Sequence, residues 1–127
     1  MSTPFDAGQG LVVMPARMWG PFGDAVVHLA LDTGATYTLV RAAILVSIGY
    51  DPATALERLQ VTTASGVEFV PRLRIQRLEA LSQSRAHFDL LCLTLPPTTS
   101  VDGVLGLDFV RGQRLVIDFR KGLIDLR

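Results

Sequence analysis

Short apolar runs, each broken within a few residues by Gly, Pro, Asp or Ser, dominate this 127-residue chain. That punctuation is typical of a mostly-β domain, with short strands joined by turns. The pattern predicts strands over Gly10 to Ala16, Asp24 to Leu31, Gln60 to Ala64, Val67 to Leu78, Ala86 to Leu93, Gly103 to Leu105, Arg114 to Phe119 and Gly122 to Leu126. Phe119-Arg120-Lys121-Gly122 reads as a tight hairpin turn in which the glycine supplies a positive φ. Ala64-Ser65-Gly66 reads as another turn, and Pro96-Pro97-Thr98-Thr99-Ser100 as a loop that cannot join a central strand. From Val40 the chain carries helix formers and reaches Gly49, a residue common just past a helix C-terminus, so a short helix is predicted over 40–48. A second is predicted after Gly106, through Leu107-Asp108-Phe109-Val110.

The length suits one domain spanning residues 1–127, and a hydrophobic content of 49% suffices for a core. Net charge is zero, so no basic field exists to hold a nucleic acid. Cys92 is the single cysteine and cannot form an internal disulfide, which fits a reducing compartment. Flanked by Leu90, Leu91 and Leu93, it reads as a buried, inert thiol. No apolar run is long enough to span a membrane. The opening MSTPFDAGQG lacks the charged start and apolar centre of a signal peptide. A cytoplasmic protein, or a soluble domain of a longer one, is expected, without a membrane partner.

The apolar run His28-Leu29-Ala30-Leu31 ends in an acid, Asp32, followed at once by Thr33, Gly34 and Ala35. A carboxylate beside an apolar strand is costly unless it is hydrogen-bonded, paired or used. A capped turn, a structural ion pair and a catalytic acid all satisfy that condition. A second strand-to-turn unit, Val101-Asp102-Gly103-Val104-Leu105-Gly106, follows later, with a long hairpin in between.

In this ordered set the chain resembles the retropepsin-like aspartic proteases, the family of the retroviral proteases and their single-domain bacterial relatives. Asp32-Thr33-Gly34-Ala35 is similar to the family's catalytic loop. Val104-Leu105-Gly106-Leu107-Asp108 is similar to its later apolar-apolar-Gly motif. Val61 to Gly66 stands where the family carries its flap hairpin. The likeness runs from about Asp24 to the end of the chain. It implies an acid-protease β-barrel, closed or partly open, with one or two short helices. It also implies an aspartic endopeptidase acting on a peptide or protein substrate, with Asp32 as catalytic acid.

Two facing carboxylates cannot both ionise and so share one proton. With one Asp-Thr-Gly per chain, the second acid is expected from a second copy, Asp32 facing Asp32 across the two-fold axis of a homodimer. On the same resemblance Thr33 bridges to the facing loop, Gly34 lets the backbone approach substrate, and Ala35 leaves room at the cleft floor. Leu105 and Gly106 support the second turn, with Gly106 packed beneath the first. The resemblance also implies a substrate-binding flap at Ala64, Ser65, Gly66 and Val67, with Ser65 and Gly66 as its mobile tip. No metal or other cofactor is expected. Retroviral members often pair an acid two positions beyond the loop glycine with an arginine just after the later glycine. Here those positions hold Thr36 and Leu107, so a different dimer contact is implied. The terminal strand Gly122 to Arg127 is expected to contribute, because an unpaired edge strand tends to find a partner. The alternative is a peptide-binding or assembly module of the same fold that does not cut.

The remaining acids lack the threonine-glycine context. Asp118 lies in a strand, Asp102 precedes Gly103, and Asp108 is expected to cap the short helix or pair with an arginine. His28, four residues before Asp32, falls on the same strand face; a structural or exposed role is expected for it. His87 is expected to face solvent in a loop approach. Trp19 reads as a packing plug in a turn. Arg72 to Arg77 alternates charged and apolar residues, as a half-exposed strand with arginines on its wet side.

Overall fold

The structure is a computed structural model that describes residues 1–63, 66–96 and 98–127, and of Thr63 the backbone only. Ten strands and two short helices follow one another along it. They are β1 (Ser2–Pro4), β2 (Val13–Gly20), β3 (Gly23–Leu31), β4 (Leu39–Arg41), α1 (Ala42–Ser47), β5 (Glu57–Thr63), β6 (Gly66–Ala80), β7 (Gln83–Leu93), β8 (Gly103–Leu105), α2 (Leu107–Val110), β9 (Leu115–Asp118) and β10 (Leu123–Leu126). A single 3₁₀ turn, Pro52–Thr54, precedes β5. No helix among the described residues is long and apolar enough to cross a membrane.

The strands close on themselves. The main sheet runs β2-β3-β8-β4-β7-β6, and a further β6–β2 pairing completes a six-stranded barrel, with β5 attached to the outer half of β6. Closure removes free edges from the barrel strands. The alternation of side chains along each strand sorts inside from outside. In β2, Met14, Ala16 and Met18 point inward, while Pro15 and Arg17 are exposed. In β6, Leu73, Ile75 and Leu78 point inward, and Arg74, Gln76 and Arg77 face water. Pro15, which has no N–H to give, sits just before the β2–β6 pairing begins at Ala16, so the ladder loses no rung there. Leu45 from α1 and Phe109 from α2 join the same core.

The architecture is mostly β with two short helices, as the sequence predicts. Some boundaries differ. The first barrel strand runs over Val13–Gly20, so Trp19 is part of a strand, half-buried, with the Arg17 guanidinium 5.9 Å above its ring. The first helix is only Ala42–Ser47, because Val40 and Arg41 are taken into β4, where they pair with Cys92 and Leu93 of β7. β7 begins at Gln83, directly after a two-residue turn, so His87 lies within a strand with φ +53° and is exposed there. The Arg72 to Arg77 expectation matches: Arg72 and Arg74 pair with Asp89 on the neighbouring strand. Cys92 is buried.

The chain termini depart most from expectation. Ser2–Pro4 forms a strand, and the second sheet has the order β1-β10-β9. The terminal strand is therefore central, with Leu123 to Asp125 paired to β1 and Leu123 to Leu126 paired to β9. It is not an unpaired edge, because the chain's own N-terminus has covered it. The edges left open in that sheet belong to β1 and β9. The hairpin before β10 forms as expected, with Gly122 at φ +68° and the Asp118 carboxylate accepting from the N–H groups of Arg120 and Lys121.

Candidate active site

β3 and β8 lie side by side and run parallel, with Leu31 opposite Leu105. Parallel neighbours end at the same edge of a sheet. Asp32 and Gly106, each the next residue of its strand, are thereby brought together although 74 residues separate them. β8 also pairs with β4, so the later glycine turn is seated between the two strands that flank the Asp32 loop.

Backbone hydrogen bonds fasten one turn to the other. The Asp32 N–H donates to the Leu105 carbonyl at 3.0 Å, and the Leu107 N–H donates to the Ala35 carbonyl at 2.8 Å. Gly106 is buried beneath the loop. A Cβ there would stand 2.6 Å from the Tyr37 carbonyl carbon and 2.9 Å from the Ala35 oxygen, so only glycine permits this approach. At Gly103 a Cβ would overlap the Leu39 carbonyl oxygen. Within the loop, Asp32 Oδ1 accepts the Gly34 N–H at 2.8 Å, a local turn that orients the carboxylate.

The carboxylate faces a cleft of about 360 Å³. Its walls come from the loop (Ala35, Thr36, Tyr37, Leu39), from Gln60, Val61 and Thr62 on β5, and from Leu91 and Leu93 on β7. Apart from Asp32 no lining side chain among the described residues is charged. Asp32 is exposed, and among the described residues no cation pairs with it. A larger recess of about 430 Å³ lies against Glu57, Arg72, Arg74 and Asp89. Its charges neutralise one another: Asp89 takes Arg74 at 2.9 Å and Arg72 at 3.2 Å, and Arg72 also reaches Glu57 at 3.4 Å. The smaller cleft is the better chemical candidate, because its acid is not already spent on a counter-ion.

A family model described as aspartyl protease matches residues 15–109, which hold both the Asp32 loop and the Gly106 turn. The chain belongs to this aspartyl protease family. Its fold is also that of a crystal structure of a retropepsin-like aspartic protease from Rickettsia conorii, with a TM-score of 0.71 at 15% identity, covering 99% of this chain and 88% of that one. No curated protein sequence matches it.

Against this family frame, the residues expected at the site fall into three groups. Asp32, Gly34 and Ala35 line the cleft, while Thr33 is exposed beside them, its hydroxyl without a partner among the described residues. Leu105 and Gly106 lie directly beneath, as support. Gly66 and Val67 open β6 in the hairpin with β5, paired to Thr63 and Thr62, so that β5 rather than they forms the cleft wall. Ala64 and Ser65 lie outside the described residues, as does Pro97 of the expected loop.

His28 does not line the cleft. It is a backbone partner of Asp102, whose carboxylate accepts the His28 N–H at 2.8 Å and whose own N–H donates to the His28 carbonyl at 2.8 Å. Asp102 also lies 3.5 Å from Arg41, which donates to the Val101 carbonyl at 2.8 Å, so it ties the approach to β8 onto β3 and β4. Asp108 does not cap α2. Gly106 stands at the N-cap, and the Asp108 carboxylate instead reaches Thr38 in the other turn. Its partner lies 70 residues away and no local signal announces it.

Proposed function

We infer that the protein is an aspartic endopeptidase in which Asp32 supplies one of two catalytic carboxylates and a second copy of the chain supplies the other. The observation that carries this reading is the uncompensated Asp32 carboxylate, held at the β3–β8 junction in a cleft with otherwise uncharged walls. Residues 1–127 would then be one domain carrying one half of the site. Two such carboxylates face to face hold one proton between them. The ionised one takes a proton from the attacking water, and the protonated one donates to the scissile carbonyl as the tetrahedral intermediate forms. Thr33, whose hydroxyl has no partner among the described residues, would bond across the two-fold. Peptide would lie extended between the Asp32 loop and the β5–β6 hairpin, with alternate apolar side chains against Leu39, Val61, Leu91 and Leu93. The β5–β6 hairpin, in which Gly66 and Val67 open β6, would close over it and exclude water.

A second reading, a peptide-binding module of the same fold, is favoured by one fact: among the described residues, the cleft of a single chain holds one carboxylate. Cleavage of a mixed peptide library by the wild type and by Asp32→Asn separates the two. The amide keeps the size of the side chain and its bond to the Gly34 N–H, so fold and assembly persist. It cannot accept a proton from water, so hydrolysis falls by several powers of ten. A wild type that is folded and dimeric yet cuts nothing in the library supports the binding module.

A further inference from the structure

Three hydrogen bonds meet at one buried residue behind the cleft. Thr38 is fully buried. Its hydroxyl donates to Asp108 Oδ1 at 2.7 Å and accepts the Gly106 N–H at 3.1 Å, while its backbone N–H donates to Asp108 Oδ2 at 2.8 Å. The Asp108 N–H returns to the Thr36 carbonyl at 3.3 Å. Both oxygens of one carboxylate and both hydrogen-bonding capacities of one hydroxyl are therefore spent on joining the second turn to the loop that bears Asp32. Neither side chain lines the cleft.

We propose that Asp108 and Thr38 are positioning residues that act as a clamp, fixing the height and orientation of the Asp32 loop relative to Gly106. The proposal deepens the protease reading above and rests on it for its catalytic consequence. The physical case is one of over-determination. The loop from Asp32 to Thr38 is largely exposed and contributes few core contacts, so packing alone does not hold it. A charged acceptor bound to two donors at short distance, partly shielded from water, is among the stiffer polar connections available to a protein. Removing the Thr38 hydroxyl leaves the Gly106 N–H buried without an acceptor and Asp108 short of one donor, and the two turns part.

Three variants grade the effect. Thr38→Val keeps the volume and β-branching and removes the hydroxyl. Asp108→Asn keeps the size but replaces one acceptor oxygen with a donor, so it satisfies the arrangement only in part. Thr38→Ser keeps every bond. Two readouts are taken on each. By NMR hydrogen exchange, the amides of Asp32, Ala35 and Leu107 exchange roughly tenfold faster or more in Thr38→Val, less so in Asp108→Asn, while those of the β2–β3 ladder do not change. In peptide cleavage, kcat falls about 30- to 100-fold in Thr38→Val with KM within about twofold, since displacement of a reacting group by about an ångström costs that much in rate. Thr38→Ser stays near wild type in both. Exchange that rises equally throughout the barrel, or that is unchanged around Asp32 in both Thr38→Val and Asp108→Asn, overturns the clamp. So does a rise in KM with kcat intact. If the wild type cleaves no peptide, the protease reading fails on that result alone, and the exchange pattern still decides whether the clamp exists.

Discussion

Asp32, Asp89, Asp102 and Asp108 are the same residue type put to four uses by their surroundings. Asp102 and Asp108 fasten backbone, Asp32 stands without a counter-ion among the described residues, and Asp89 sits between two guanidiniums. The hydrogen bond from Arg74 is the main reason that the Asp89 carboxyl is held below its usual range. A carboxyl depressed in the folded state stabilises the fold above its unfolded pKa, and that contribution is lost as pH falls through the folded value. Asp89→Asn should therefore flatten the acid limb of the stability curve, and cost little near neutrality because Arg74 is exposed. Urea midpoints across the acid range check this; an unchanged acid limb contradicts it. Cys92 has the opposite sign. Burial pushes its thiol pKa up, and burial raises that of the Tyr50 phenol too. Such groups favour the fold fully below their unfolded pKa and lose that contribution as pH rises through the folded one. Stability should decline on the alkaline side, and native Cys92 should react with a thiol reagent about tenfold or more slowly than in denaturant. Equal labelling rates in the two states would refute its burial.

At the scale of elements, the strands with regular alternation were legible and the connections between them less so. The barrel strands β3, β6 and β8 read directly from apolar spacing, and so did the Asp32 loop and the Gly106 turn. The β6–β7 turn did not. Leu81 and Ser82 both have positive φ, at 51° and 61°, and join Ala80 to Gln83 as a two-residue hairpin loop. Turns of this kind usually carry Asn-Gly, and neither residue announces one. Leu81 is 2% exposed, so its burial holds a conformation that its backbone disfavours. Ser82, which is exposed, gains nothing comparable. Ser82→Gly should relieve about 1–2 kcal/mol of left-handed strain, against about 0.5–1 kcal/mol of added chain entropy. The net is a small rise in the thermal midpoint; a fall contradicts the turn assignment. Gly103→Ala should do the reverse, because β8 cannot lie against the Leu39 carbonyl with a Cβ in between. A loss of about 3 kcal/mol or more is expected, typical of severe steric clashes in a packed interior. A folded variant of wild-type stability would show that β8 is not inserted between β3 and β4.

For the molecule as a whole, the family and the mostly-β barrel were legible because they rest on two short motifs and an apolar period. The pairing of the termini was not. That β1 covers β10 depends on a three-residue strand, Ser2-Thr3-Pro4, with no apolar period to reveal it. Asp108 was misread for a related reason: helix chemistry is local, and its partner Thr38 is brought near by the long-range pairing of β8 with β3 and β4. The covered terminal strand also changes what a dimer can use. With β10 central, a second copy has the edges of β1 and β9 and the rim of the cleft to engage, rather than a free C-terminal strand. The protease reading requires that whatever engages brings the two Asp32 loops together. The most direct measurement is the activity of mixtures of wild type and Asp32→Asn at constant total concentration, after subunits have been allowed to exchange. If each site needs one Asp32 from each chain, only dimers with two wild-type chains cut, and an equal mixture retains about one quarter of the wild-type rate. If each chain works by itself, the equal mixture retains about half, and the shared dyad is contradicted.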